Sequence, residues 1–408
     1  MTNKRVILSA YSCDPSKGSE PGNGFNWAKY LANYGHEVYC ITTSKGKKAI
    51  EEQANGIVNL EFGYVDLPFG LDKIYYWSLL GMYAHYLIWQ WTAYRHAKKI
   101  HKQRPYDLVH HVTWGSLQQG SFMYKLPIPL IFGPAGGGQS APENFKAYFG
   151  KHWKTELRRE KISKLLQLIN PACKRMVRKA SVILAANHET GRLAQNLGAK
   201  RVFPVLDSAL PKDFFTKKND TRKDVDSQGL KLLWVGRFLP RKGILLVLDV
   251  MHRLKSHQDI KLTVVGDGTM KSLFENRIDE LSLSNQVNWV GRVPFHEIQQ
   301  YYSSHDVFLF TSLRDSGGVQ IVEAMSFGLP VITLDCHGQS LMVNEDCGFK
   351  ASTETPERAI DELSKYILRL KSDIVLRNKM ANNAREFALK QTLEDKVEFV
   401  SNNYYNLN

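Results

Sequence analysis

The feature that most constrains this chain is an alternation of short apolar runs with longer periodic stretches, which occurs twice in series. In the first half, Val6–Tyr11, Glu37–Thr42, Leu108–Val112, Leu130–Phe132 and Val182–Ala185 read as strands with helical segments between them. The pattern restarts with Lys231–Val235, Lys261–Val265, Val287–Val290, Val307–Thr311 and Pro330–Thr333. Strands of near-continuous apolar character, each followed by a helix, belong to parallel sheets covered on both faces. Two such series predict an α/β chain of two doubly wound, Rossmann-like domains facing a cleft. The expected division is an N-terminal domain over residues 1–206, a polar linker at Asp207–Gly229, a second domain over 230–385, and a C-terminal helix over 386–408 that packs back toward the first domain.

Ligands of open α/β sheets sit beyond the carboxyl ends of the strands, so the loops there carry the functional expectation. Four consecutive strand ends in the second half are glycine-bearing: WVGRFLPRKG at 234–243, VVGDGTM at 264–270, WVGRVP at 289–294 and TSLRDSGGVQIVE at 311–323. Gly236, Gly266 and Gly291 permit tight turns and close backbone approach. Arg237 and Lys242 share one loop that enters a helix, where charge-assisted bonds and the helix dipole hold a diphosphate; taken alone, the same loop reads equally as an ordinary basic turn. Asp315 and Glu323 flank the Gly-Gly turn. An acid at position 323 accepts hydrogen bonds from a ribose diol, or merely complements a helix dipole. The backbone around Ser316, Gly317, Gly318 and Val319 offers donors to anionic or hydroxyl oxygens.

In the first half, CDPSKGSEPGNG at 13–24 follows the first strand and places Gly18, Ser19, Glu20 and Gly22 at its end. It lacks the third glycine of a dinucleotide fingerprint. DLVHHVTW at 107–114 ends another strand with His110 and His111, which read either as functional groups, with a bulge turning His111 inward, or as packed strand-end histidines. GPAGGGQSAP at 133–142 has no lysine after its glycines and is not a P-loop.

These elements, GRFLPRKG, GDG, GRV and DSGGVQIVE in order and at spacing, resemble glycosyltransferase family 4, the retaining GT-B glycosyltransferases, in a bacterial branch with a G-S-E-P-G N-terminal loop. The resemblance covers nearly the whole chain and is strongest from Leu232 to Gly338. It implies transfer of a sugar from a nucleoside-diphosphate sugar to a hydroxyl of a glycan or lipid-linked acceptor, in bacterial surface polysaccharide assembly. It implies a hexosyltransferase-type enzyme that needs no metal or other cofactor, with Arg237 and Lys242 on the donor diphosphate and Glu323 on the ribose. Gly18, Ser19 and Gly22 match the loop that approaches the donor. Asp315 stands where the family's first Glu contacts the transferred sugar, one methylene shorter. Val112 occupies the place of the family's second His, which leaves His111 as the nearest substitute. A sugar-nucleotide epimerase of GT-B fold and a non-catalytic sugar-binding subunit are the alternative readings. The D-x-D at Asp224–Asp226 lies in the linker and is rejected as a metal site.

Charge and composition bear on partners and compartment. Residues 1–200 carry 27 Lys and Arg against 13 Asp and Glu, whereas residues 201–408 carry 27 against 27, so the net charge of +14 resides in the first half. A one-sided basic surface expects an anionic partner, here an anionic membrane surface and no nucleic acid. Ile74–Tyr94 holds 21 residues without Asp, Glu, Lys or Arg, and Lys146–Lys179 carries 11 Lys and Arg against two Glu. The first stretch reads either as an aromatic membrane-interface segment or as a buried helix. Five scattered cysteines without C-x-x-C spacing, and no secretory leader in this sequence, predict a cytoplasmic protein, with the basic first half pointing to peripheral attachment at the inner face of the cytoplasmic membrane.

Overall fold

The computed structural model describes residues 3–17, 19–216 and 229–406. Two compact units divide the chain: Met1–Gly138, Lys161–Asp207 and Leu393–Asn408 form the first, and Gln139–Glu160 with Ser208–Thr392 the second. The sequence reading separates the two domains at 207–229 and sends a C-terminal helix over 386–408 back toward the first; in the structure, residues 393–408 belong to the first unit, and residues 139–160 join the second. Residues 217–228 of that linker, the Asp224–Asp226 pair among them, lie outside the described residues.

The first unit is a seven-stranded sheet in the order β3-β2-β1-β4-β5-β6-β7. Its strands are β1 (Arg5–Ala10), β2 (Glu37–Thr42), β3 (Leu60–Tyr64), β4 (Leu108–Thr113), β5 (Leu130–Ala135), β6 (Val182–Ala185) and β7 (Val202–Pro204), paired in parallel throughout. Every residue of β4 and β6 is buried, as expected for strands covered on both faces. The helix Leu393–Tyr404 packs against the helix Ser19–Asn33 and contributes Val397, Val400 and Tyr404 to one of this unit's two apolar cores.

The second unit is a six-stranded parallel sheet in the order β10-β9-β8-β11-β12-β13. Its strands are β8 (Leu230–Val235), β9 (Ile260–Val265), β10 (Val287–Gly291), β11 (Val307–Phe310), β12 (Val331–Leu334) and β13 (Gly348–Ala351). The order reverses between β8 and β11, so the loops leaving those two strands diverge over a crevice, the position at which open sheets take ligands.

The segment Ile74–Tyr94 is not one apolar span. A 3-10 stretch, Pro68–Tyr76, precedes the helix Leu79–Gln103, which starts where the Ser78 hydroxyl accepts from the Gly81 amide at 3.0 Å. Tyr86, Trp89, Gln90 and Ala93 point into the first unit's core, and the Trp89 indole donates to the Val65 carbonyl at 2.8 Å. No helix among the described residues is long and apolar enough to cross a membrane.

Candidate functional site

In the second unit, glycines bring the strand ends backbone to backbone. The Gly236 amide donates to Val265 O at 3.0 Å and the Gly266 amide to Gly291 O at 2.8 Å. A Cβ on Gly266, whose φ is +145°, would fall 1.8 Å from the Gly236 carbonyl, so no other residue fits there. Gly243, left-handed at φ +65°, caps the helix Ile244–Arg253. Lys242 stands in the 3-10 turn just before it.

Lys242 is buried, and its Nζ donates to Asp315 Oδ2. Arg241 Nη1 lies 3.2 Å from the same oxygen, and the Ser312 hydroxyl donates to it at 3.3 Å. Burial pulls the Lys242 ammonium below the usual lysine range and wins against the nearby Asp315 charge, with Arg241 and Arg237 acting in the same direction as burial. Burial alone would raise the Asp315 carboxyl, but Lys242 and Arg241 hold it below the usual carboxylate range. Arg237 is exposed on the same loop, close enough for its charge to reach Lys242. Of the two cations that the sequence reading sets around a diphosphate, Lys242 is thus paired with Asp315, and Arg237 stands exposed on the same loop. Arg241 and Ser312 are members that the sequence reading did not single out.

Glu323 lies in the helix Val319–Ser326 and is buried. Its Oε2 accepts from the Tyr302 phenol at 2.8 Å. Burial pushes its carboxyl up to about 7, although the Tyr302 bond acts the other way. Of the amides expected to meet an oxyanion, that of Gly318 already donates to Ser208 Oγ at 3.1 Å. Gly317 is buried, Ser316 and Val319 partly exposed. A Cβ on Gly338 would fall 1.9 Å from the Ser316 carbonyl, so the turn is supported from beneath by bare backbone. Gln339 Nε2 adds a bond to Ser312 O at 2.7 Å.

The first unit treats its candidates differently. β1 and β4 slip register so that Ser9 pairs with His111 and Ala10 with Thr113. The bulge is real, but it does not bring His111 to a surface. His111 is wholly buried, its Nδ1 is 3.0 Å from Ser9 Oγ and its Nε2 3.3 Å from the Tyr86 hydroxyl, and it stacks on Phe132. His110 is equally buried, bonded at 2.7 Å to both Tyr405 Oη and Gly133 O. Burial lowers both imidazoles, to about 4 for His110 and about 3 for His111. Both are neutral packed histidines with their ring nitrogens engaged, so the catalytic expectation for His111 is replaced by a structural one.

Gly18 lies outside the described residues. Ser19 begins the helix Ser19–Asn33, and a Cβ on Gly22 within it would fall 2.5 Å from the Lys17 carbonyl, so Gly22 serves a close approach of helix and loop. Glu20 accepts from the Trp114 amide at 2.5 Å, tying this loop to the end of β4, where Trp114 adopts φ 55°. Among the described residues no group of three or more His, Cys, Asp or Glu could hold a metal ion.

Comparison with known proteins places these observations. Residues 215–387 match the family described as Glycosyl transferases group 1. The amylovoran biosynthesis glycosyltransferase of Erwinia amylovora is 30% identical over 38% of this chain and 39% of its own length. The chain spans less than half the length of the curated relatives it matches. Among solved structures, sucrose-phosphate synthase of Thermosynechococcus elongatus superposes with a TM-score of 0.70 at 16% identity, covering 99% of each chain. The Anabaena protein HepE in complex with UDP-glucose superposes with a TM-score of 0.60 at 18% identity, covering 98% of this chain and all of its own. Residues 215–387 thus match the model of the glycosyl transferases group 1 family, and the chain as a whole shares the fold of two parallel α/β sheets seen in sucrose-phosphate synthase and HepE.

Proposed function

We propose that this protein is a retaining, metal-independent glycosyltransferase of family 4 that takes a sugar from a nucleoside-diphosphate donor. The observation that carries the reading is the pairing of Lys242 with Asp315 across the loops leaving β8 and β11, with Arg237 on the first loop and Glu323 in the helix that follows the second. The donor diphosphate lies against Arg237 and Lys242, competing with Asp315 for the lysine. The free oxygen of Glu323 accepts from the ribose. Asp315, displaced from Lys242, is then available to hydroxyls of the transferred sugar. The acceptor hydroxyl attacks the anomeric carbon on the face from which the diphosphate departs. Its proton passes to the departing phosphate oxygen, and the two cations stabilise the charge that develops there. They supply the positive charge that a divalent ion provides in metal-dependent transferases.

The acceptor is a glycan or lipid-linked saccharide of surface polysaccharide assembly, and the anionic membrane is a partner. This is supported by the exposed Leu165, Leu168 and Ile169 on the helix Trp153–Ile169, beside Lys161 and Lys164. Apolar side chains next to lysines suit an anionic interface, at about 1 kcal/mol per basic residue near the surface. UDP-sugars are the first donors to try, because HepE binds UDP-glucose. The test is transfer from labelled nucleotide sugars to membrane-extracted acceptors, with and without EDTA, and NMR of the product's anomeric centre. Retained configuration with EDTA-resistant turnover is expected. Inversion, strict metal dependence, or isomerised nucleotide sugar without transfer each contradicts the reading.

A further inference from the structure

The loop that carries Asp315 is held from outside the family-matched segment. Glu156 belongs to residues 139–160, which precede that segment by more than fifty positions and fold with the second unit. Glu156 is 8% exposed, and its carboxylate meets Arg314 at two points: Oε2 accepts from Nη2 at 3.1 Å, and Oε1 lies 2.7 Å from Nε. Arg159, one turn on, adds a contact of 2.9 Å to Oε1. The Arg314 carbonyl accepts from Arg241 Nη1 at 3.1 Å, and Arg241 also reaches Asp315. Arg314 is thus a largely buried cation between two other arginines, Arg159 and Arg241, and Glu156 is the carboxylate set against it.

We propose that Glu156 is a positioning residue for the donor sugar: by fixing Arg314 it keeps the neighbouring Asp315 from turning to Arg314, so that Asp315 rests on Lys242 and Arg241 and is released to the sugar when the diphosphate takes Lys242. The inference rests on the reading that Lys242 and Asp315 face the donor. Without the Glu156 charge, Arg314 is a buried cation that has lost its counter-ion, and Asp315 is the carboxylate next to it in the chain. Arg314 then competes with Lys242 for Asp315. Removing both charges removes the competitor, so a double substitution restores what the single one disturbs. A role confined to stability has no such signature.

The experiment compares wild type, E156Q, R314Q, E156Q/R314Q and K242A in the full chain. Acylation of Lys242 by an amine-reactive ester, read by peptide mass spectrometry, needs no ligand. Lys242 is expected to label slowly in wild type, about tenfold faster in E156Q, and near the wild-type rate in the double variant, the coupling expected of groups in one ion-pair network. In parallel, the nucleotide sugar that most raises the wild-type melting temperature, from a panel of UDP-, GDP- and ADP-sugars, is titrated beside its parent nucleoside diphosphate. E156Q should weaken the nucleotide sugar about tenfold and the bare diphosphate less than twofold. Unchanged Lys242 labelling in E156Q, or a double variant no better than E156Q, overturns the proposal. If K242A loses the diphosphate while E156Q keeps full affinity for the sugar nucleotide, the positioning claim fails and the donor-site reading stands. If K242A binds as wild type, the donor-site reading fails, and the labelling still decides whether Glu156 governs Asp315.

Discussion

The phenol of Tyr302 donates to Glu323 Oε2 across 2.8 Å, and both side chains are buried, Glu323 keeping 5% of its surface exposed. Tyr302 is itself fixed by stacking on Phe327 at 5.6 Å between ring centroids. The bond leaves one Glu323 oxygen for a ribose diol and opposes the rise that burial imposes on the carboxyl. A carboxylate accepts from both hydroxyls of a diol, whereas a protonated acid offers one acceptor fewer. Donor affinity is therefore expected to strengthen as pH rises through about 7, where Glu323 loses its proton. In Tyr302→Phe the same break should move to higher pH, because a bond that favours the charged form is gone. KM for the nucleotide sugar against pH reads this directly; an unmoved break would separate Tyr302 from the site.

Lys242→Ala should lower donor-dependent turnover by about 10²–10³, the cost of losing one donor aimed at developing charge. Asp315 keeps Arg241 and Ser312 as partners in that variant, so the fold should persist. Circular dichroism and melting temperature distinguish a lost charge from a lost fold.

His111→Phe separates packing from chemistry. The ring that stacks on Phe132 is kept, while Ser9 Oγ and the Tyr86 hydroxyl each lose a partner. A destabilisation of about 1–3 kcal/mol is expected from the unmatched polar groups. Turnover per folded molecule should stay within about threefold of wild type, whereas a general acid or base would forfeit on the order of 10²–10⁴.

The pH dependence of stability follows from the same buried groups. His110 and His111 have folded values of about 4 and about 3, below the ordinary 6.5, so their contribution is complete above pH 6.5 and is lost as pH falls toward those values. His36, lowered to about 4 mainly by burial, acts in the same direction. Glu323 opposes them: raised from 4.5 to about 7, it makes the folded state bind the proton more tightly, so its contribution falls as pH rises through that window. The two strand histidines outweigh the one acid. Net stability between pH 4.5 and 6.5 should therefore increase with pH, by about 1.4 kcal/mol per unit for each net proton. Urea midpoints across that range give the slope, and His111→Phe should flatten it by about one proton.

The interior strands of both sheets were legible because each is an apolar run covered on two faces. The strands β3, β7 and β13 were not, and all three are sheet edges. Leu60–Tyr64 is only partly buried, so it lacks the continuous apolar run that marks β4 or β6. Arg237, Lys242, Asp315 and Glu323 were legible because loops at strand ends expose their chemistry in local spacing. Tyr302 and Glu156 were not: the first meets Glu323 from a separate helix, and the second reaches Arg314 from 158 positions away. The adjacent histidines of β4 looked functional in sequence, where a polar pair within an apolar strand has no visible partners. In the fold, Ser9, Tyr86, Tyr405 and Gly133 satisfy them.

The most direct test of the donor site is thermal denaturation of wild type, Lys242→Ala and Glu323→Ala across nucleoside diphosphates and their sugars. At a concentration 100 times its dissociation constant, the correct donor should stabilise wild type by about 2.7 kcal/mol. The same donor should leave both variants near their unliganded melting temperatures. Stabilisation of the variants equal to that of wild type, or no response to any nucleoside diphosphate or nucleotide sugar, would contradict the assignment of these residues to a nucleotide-sugar site.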